Sequence, residues 1–251
     1  MGNVAGPAGM TRALGVAALL GVVLLVFSTA AYAQRGSGLY LAADLGMASS
    51  STSDLRSGGT KGKTDFASAL GYSAALGFGW GPLRMEGEAT WREADVDSIK
   101  YARFSVGGQE LSEDVVRAIN NDVDLKGSRA TLSLMANAWY DVDVGIGFTP
   151  YFGGGVGVQY VRYEIDRPSD LSRFEPEVVG AARTIGGDDG DWVLAYQFGG
   201  GVAYRLMESL VVQVGYRYMG AGDPKLTSLS DSSAKSEAGN HVFRAGIRIG
   251  F

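Results

Sequence analysis

Leu83-Arg84-Met85-Glu86-Gly87-Glu88-Ala89-Thr90-Trp91-Arg92 alternates without a break: Leu83, Met85, Gly87, Ala89 and Trp91 share one face, and Arg84, Glu86, Glu88, Thr90 and Arg92 share the other. A period of two is the signature of a β-strand. Seven further runs repeat it: Leu39–Met47, Leu70–Trp80, Arg129–Tyr140, Tyr151–Tyr160, Trp192–Arg205, Leu210–Tyr218 and Phe243–Phe251. Each is about 9–14 residues, the length a tilted strand needs to cross a bilayer. The pattern predicts an all-β chain forming an eight-stranded antiparallel up-and-down barrel.

The connections alternate as well. Gly81-Pro82, Asp141–Gly147 and Met207–Ser209 are short, whereas residues 48–69, 93–128, 161–191 and 219–242 are long. Short turns at one end and long loops at the other are the topology of an outer-membrane barrel. Aromatics gather at both ends of the runs. Trp80, Tyr140, Phe152, Tyr204 and Phe251 lie towards the short turns; Trp91, Tyr160, Trp192, Tyr216, Tyr218 and Phe243 lie towards the long loops. Two such girdles fit the two interfaces of a membrane. The alternative is a soluble lipocalin-like barrel, which turns its polar faces to water and its apolar faces to a cavity. Full charges on one face and large aromatics at the ends favour the membrane version.

The N-terminus fits export. Arg12 precedes the apolar run Ala13–Phe27, and Ala31-Tyr32-Ala33 supplies small residues for cleavage after Ala33. Residues 1–33 read as a signal peptide and residues 34–251 as the barrel domain, an uncleaved anchor being the alternative. Composition removes other classes. The chain of 251 residues has no Cys and one His, which excludes disulfide frameworks, thiolate metal sites and multi-histidine sites. A net charge of -5 argues against a nucleic-acid partner. His241, the sole imidazole, is followed by Val242-Phe243 and lacks the nucleophilic Ser two residues on that a membrane deacylase would need. No enzyme activity, cofactor or metal site is expected. Asp188, Asp189 and Asp191 read as a solvated acidic turn, with a divalent-ion site as the alternative. In Gln109–Val123, Leu111, Val115, Val116 and Ile119 fall on one helical face behind Ser112 as N-cap, which predicts a short helix.

An eight-stranded barrel leaves room only for its own side chains. The inward face carries Asp44, Glu86 and Glu88 against Arg84, Arg92, Arg129, Arg205, Arg217, Arg244 and Arg248. Breaking a buried pair costs about 3–5 kcal/mol, so these residues are expected to form one connected charge network. Closure of the first strand on the last puts Asp44 near Arg244 or Arg248. The third strand faces the seventh, which turns Glu86 and Glu88 towards Arg217. Inward glycines on the second, fifth and sixth strands leave space for the long side chains. This network reads as a structural plug; a narrow porin-like channel gated by the same salt bridges is the runner-up.

The stretches TPYFGGGVGVQYVR (149–162), WVLAYQFGGGVAYRL (192–206), VQVGYRYMG (212–220) and HVFRAGIRIGF (241–251) resemble the small outer-membrane β-barrel family of Gram-negative surface antigens. That family is similar to the transmembrane domain of outer membrane protein A, and the resemblance runs over about 38–251. It implies a monomeric barrel in the cell outer membrane, surrounded by lipid and lipopolysaccharide, with a surface-antigen role in envelope integrity or in contact with a host or environmental ligand through its loops. It also implies that Phe243, Ile247, Ile249 and Phe251 are the signal read by the outer-membrane barrel assembly machinery. No periplasmic domain is expected after Phe251. Deletion of Phe251 is expected to lower the folded barrel in outer-membrane fractions, read by heat-modifiable gel mobility; unchanged levels would refute the assembly role.

Overall fold

A computed structural model describes residues 38–49, 51–57, 60–66, 68–103, 105–106, 109–122, 127–145, 147–165, 179, 187–222, 225–226, 232–235 and 239–251. The expected signal segment, with Ala31 and Ala33, lies outside the described residues.

Eight strands make the barrel: β1 (Gly38–Ala48), β2 (Ala69–Trp80), β3 (Leu83–Arg103), β4 (Gly127–Asp141), β5 (Phe148–Ile165), β6 (Gly187–Arg205), β7 (Leu210–Ala221) and β8 (Asn240–Gly250). Each pairs antiparallel with the next, and β1 also pairs with β8, from Tyr40 opposite Gly250 to Ala48 opposite Val242. The sheet is therefore closed. The Phe251 N–H donates to the Leu39 carbonyl at 3.0 Å and extends the seam beyond the last strand.

At the short-turn end, Gly81 sits at φ +61° and Gly145 at φ +75°, conformations that a side chain disfavours. Asp143 Oδ1 accepts the Gly145 N–H at 2.9 Å and so fixes the β4–β5 turn. The strands run further than the alternating runs towards the long loops. β3 continues to Arg103, β5 to Ile165, and β6 begins at Gly187. The Gly-Asp-Asp-Gly-Asp segment is thus strand and not the expected acidic turn: residues 187–191 pair with 161–165 of β5. Backbone pairing continues here because each ladder satisfies its neighbour, even where the side chains no longer alternate.

Past the barrel, the hairpin Ser51–Ser57 and Thr60–Phe66 pairs with the far end of β3 on one side and with Ser232–Lys235 on the other. The β3–β4 connection contains helix α1 (Glu113–Asp122). Ser112 caps it, its Oγ accepting the Val115 N–H at 3.4 Å, and Val115 and Val116 are buried.

Burial is inverted relative to a soluble protein. Asp44, Arg84, Glu86, Glu88, Arg92 and Arg217 are buried, while Leu76, Phe78, Phe152, Leu194, Phe198 and Phe243 are more than half exposed on the outside. Charged groups are rarely buried in water-soluble folds, and an apolar belt all round the molecule needs a lipid solvent. Aromatic contacts flank the belt. Tyr140 meets Phe152 at 5.7 Å and Phe148 meets Tyr204 at 4.7 Å near the short turns. Towards the long loops, Tyr160 meets Trp192 at 5.3 Å and Tyr216 meets Phe243 at 5.5 Å.

Leu76 lies midway along β2, between Trp80 and Tyr72, and faces outward. Replacing it with Arg is expected to destabilise the barrel by about 2–4 kcal/mol in denaturant unfolding from lipid vesicles. A neutral effect, the usual result at a water-exposed surface, would contradict a bilayer-embedded belt.

Candidate functional site in the barrel lumen

The inward residues of β3 are two apart and so stack along one wall of the lumen. Glu88 is at the centre. Its Oε2 accepts Arg217 Nη1 from β7 at 2.6 Å, and Arg244 Nη1 from β8 reaches its Oε1 at 3.1 Å. Thr90 Oγ1 donates to the same carboxylate at 3.0 Å. Arg244 also clamps Asp44 of β1, Nη2 to Oδ2 at 2.7 Å, and donates to Ser73 Oγ of β2. Gln213 Nε2 donates to the other Asp44 oxygen at 2.8 Å. This layer therefore ties β1, β2, β3, β7 and β8 together across the lumen.

Asn137 of β4 and Gln197 of β6 complete it. Gln197 Nε2 donates to Asn137 Oδ1 at 2.7 Å, while its Oε1 accepts Arg217 Nη1 at 3.3 Å. The Arg217 guanidinium lies 4.4 Å from the Trp139 ring centroid, a cation–π contact between two buried side chains.

A second cluster closes the short-turn end. Glu86 Oε1 accepts Arg84 Nη1 and the Tyr40 hydroxyl, each at 2.7 Å, and Oε2 accepts Trp139 Nε1 at 2.8 Å. Arg84 Nε lies 2.9 Å from both oxygens of Asp141. Arg248 is 3.8 Å from Asp141 and has the Tyr40 ring 5.3 Å from its guanidinium.

Glycine makes these clusters possible. A Cβ on Gly246 would strike the Asp44 carboxylate, one on Gly155 the Asn137 amide, and one on Gly77 the Tyr40 ring. Long polar side chains fill the lumen because the walls beside them have none.

Among the sequence-expected network residues, the structure joins Asp44, Glu88, Arg217 and Arg244 in one layer and Arg84, Glu86 and Arg248 in the other. Glu86 does not reach Arg217: the barrel's stagger leaves it level with Arg84 on its own strand and with Tyr40. Arg205 is exposed at the short-turn rim, because the last inward position of β6 lies beyond the filled lumen. Arg92 and Arg129 sit apart from both layers, towards the long loops. Phe243, Ile247, Ile249 and Phe251 are at the end of the chain on or beside the outward face of β8.

Several participants were not singled out from sequence: Tyr40, Trp139, Asp141, Asn137, Gln197 and Gln213. Parity would have placed most of them, since Tyr40 shares a face with Asp44, and Asn137 and Trp139 share one with Ser133. His241 is exposed on the outward face, its Nδ1 2.5 Å from the Tyr216 hydroxyl and its ring 5.4 Å from that of Tyr218. It belongs to the aromatic girdle. Of the three aspartates in the segment 187–191, the side chain of Asp191 is described, and its Oδ1 accepts the Trp192 N–H at 2.8 Å.

The family described as outer membrane protein beta-barrel domain matches residues 19–251. An uncharacterized protein of Brucella abortus is 29% identical over 130 residues, 49% of this chain and 44% of that protein. The chain thus spans less than half the length of that relative. Outer membrane protein PagN of Salmonella typhimurium is 24% identical over 200 residues, 76% of this chain and 74% of PagN. Among solved structures, Neisserial surface protein A is similar at 19% identity and TM-score 0.44, covering 86% of this chain and 98% of that one.

Because Glu88 is the carboxylate shared by two arginines, Glu88→Ala leaves buried cations without their partner. It is expected to cost about 3–5 kcal/mol in denaturant unfolding. An unchanged midpoint would show that the layer does not hold the walls together.

Proposed function

The chain belongs to the outer membrane protein beta-barrel domain family, and from that premise we propose a closed, non-conducting barrel whose role is structural and interfacial. It carries no enzymatic step in this reading: the lumen carboxylates are locked between arginines, and His241 sits among outward aromatics. It anchors four long connections at one rim and presents them at the cell surface, where they contribute to envelope integrity and to contact with a host or environmental ligand. The surrounding partner is outer-membrane lipid and lipopolysaccharide, and the barrel works as a monomer.

The observation that carries the reading is the Glu88 layer. Asp44, Glu88, Arg217 and Arg244 bridge opposite walls at 2.6–3.1 Å, leaving no unpaired charge in that layer to pass an ion along. A conducting path would require these pairs to separate, and desolvated pairs separate at high cost.

Two measurements test it together. Purified barrel in a planar bilayer is expected to stay silent, and discrete, reproducible conductance steps would replace this reading with that of a salt-bridge-gated channel. An epitope inserted between β7 and β8 is expected to bind antibody on intact cells; labelling only after the outer membrane is permeabilised would reverse the proposed orientation.

A further inference from the structure

Beyond the Glu88 layer, towards the long loops, the lumen is not filled. A cavity of about 130 Å3 lies there, with Arg92, Arg129 and Gln159 on the wall built by β3, β4 and β5. Ala48, Ala69 and Met219, from β1, β2 and β7, form the facing wall. Arg92, Arg129 and Gln159 make a cationic, polar patch, while Ala94 and Val161 beside them and Ala48, Ala69 and Met219 across the cavity are apolar.

Arg92 is 6% exposed, yet it makes no ion pair within 4 Å among the described residues. Its one side-chain hydrogen bond there runs from Nη2 to Gln159 Oε1 at 3.3 Å, and its Nε is buried without a partner. Gln159 Oε1 also accepts Ser133 Oγ at 3.1 Å, so the one hydrogen-bond acceptor of this guanidinium among the described residues is neutral and already occupied. Glu88, four residues along the same strand, is held by Arg217 and Arg244. A buried cation with spare donors beside an empty space is costly unless an anion joins it.

We propose that this cavity binds a small organic carboxylate. The carboxylate lies against the Arg92 guanidinium, whose planar fork matches two carboxylate oxygens. The short apolar remainder lies against Ala48, Ala69 and Met219. An inorganic anion would use the first wall and leave its remaining oxygens facing the second. Size limits the ligand: an apolar cavity of roughly 150 Å3 admits benzene, so about 130 Å3 accommodates a carboxylate of roughly five or six heavy atoms. Because the Glu88 layer closes the lumen beneath it, the site is a blind pocket entered from the long-loop end.

Butyrate is the probe, titrated into the full barrel in detergent and followed by saturation-transfer NMR, with butyramide as the uncharged isostere. Saturable butyrate binding is expected, with at least tenfold weaker binding of butyramide. Arg92→Gln and Ala69→Leu, the second filling the cavity and leaving the charge intact, are each expected to weaken butyrate at least tenfold while heat-modifiable mobility shows folded barrel. If Arg92→Gln fails to fold, Ala69→Leu and butyramide carry the test alone. Absence of saturable binding, equal binding of butyramide, or undiminished binding in the folded variants would overturn the site. Displacement of butyrate by chloride at equal concentration would overturn its assignment to a carboxylate.

Discussion

In hydrocarbon, an unpaired backbone N–H or C=O has no water to turn to, and every other feature of this barrel follows from meeting that constraint. The pairing of β1 with β8 removes the two edges that an open sheet would expose. Closure then assigns every side chain to one of two environments by parity alone. Leu41 and Ala43 go to lipid while Ala42 and Asp44 go to the lumen, and no intermediate orientation exists. A slip of one residue at the seam would put Asp44 into the bilayer and Leu45 against Arg244.

The same closure explains why the interior is ionic. A narrow barrel lined by apolar side chains would gain little by burying them, because its outside is already in an apolar solvent. Strength inside must come from directional contacts between walls, which hydrogen bonds and ion pairs supply. Glu88 and Glu86 serve as the acceptors of two stacked layers, each using both carboxylate oxygens. The glycines opposite them are the counterpart of this arrangement. Gly155, Gly199 and Gly246 give up side-chain packing so that Asn137, Arg217 and Asp44 have somewhere to lie.

Much of this was legible in the residues. Strand identity and facing followed from runs such as 83–92, and the capped helix from Ser112 and the Val115-Val116 pair. Legibility ended where the environment stopped alternating. Residues 93–97 still alternate, Ala94 and Val96 against Glu93, Asp95 and Asp97, but the phase slips at Asp97-Ser98, where the pairing register also shifts, and residues 187–191 carry no period of two although their backbone stays paired. Within the lumen, the residue types were readable but their partners were not. Whether Glu86 meets Arg217 or Arg84 depends on the stagger of strands around the barrel, a quantity that no single strand encodes. Asp141 shows the same limit: it ends β4 at a turn, and only the fold brings it to Arg84.

The hairpin of residues 51–66 and the strand Ser232–Lys235 join connections from opposite ends of the chain through main-chain ladders. A ladder of amides is nearly blind to side-chain identity, proline excepted. These segments therefore have a framework that leaves residue identity free to diverge. Such a rim accommodates extensive drift in sequence while retaining its backbone pairing, so long as the number of residues between paired positions is kept. Length, more than composition, is what inheritance must conserve there.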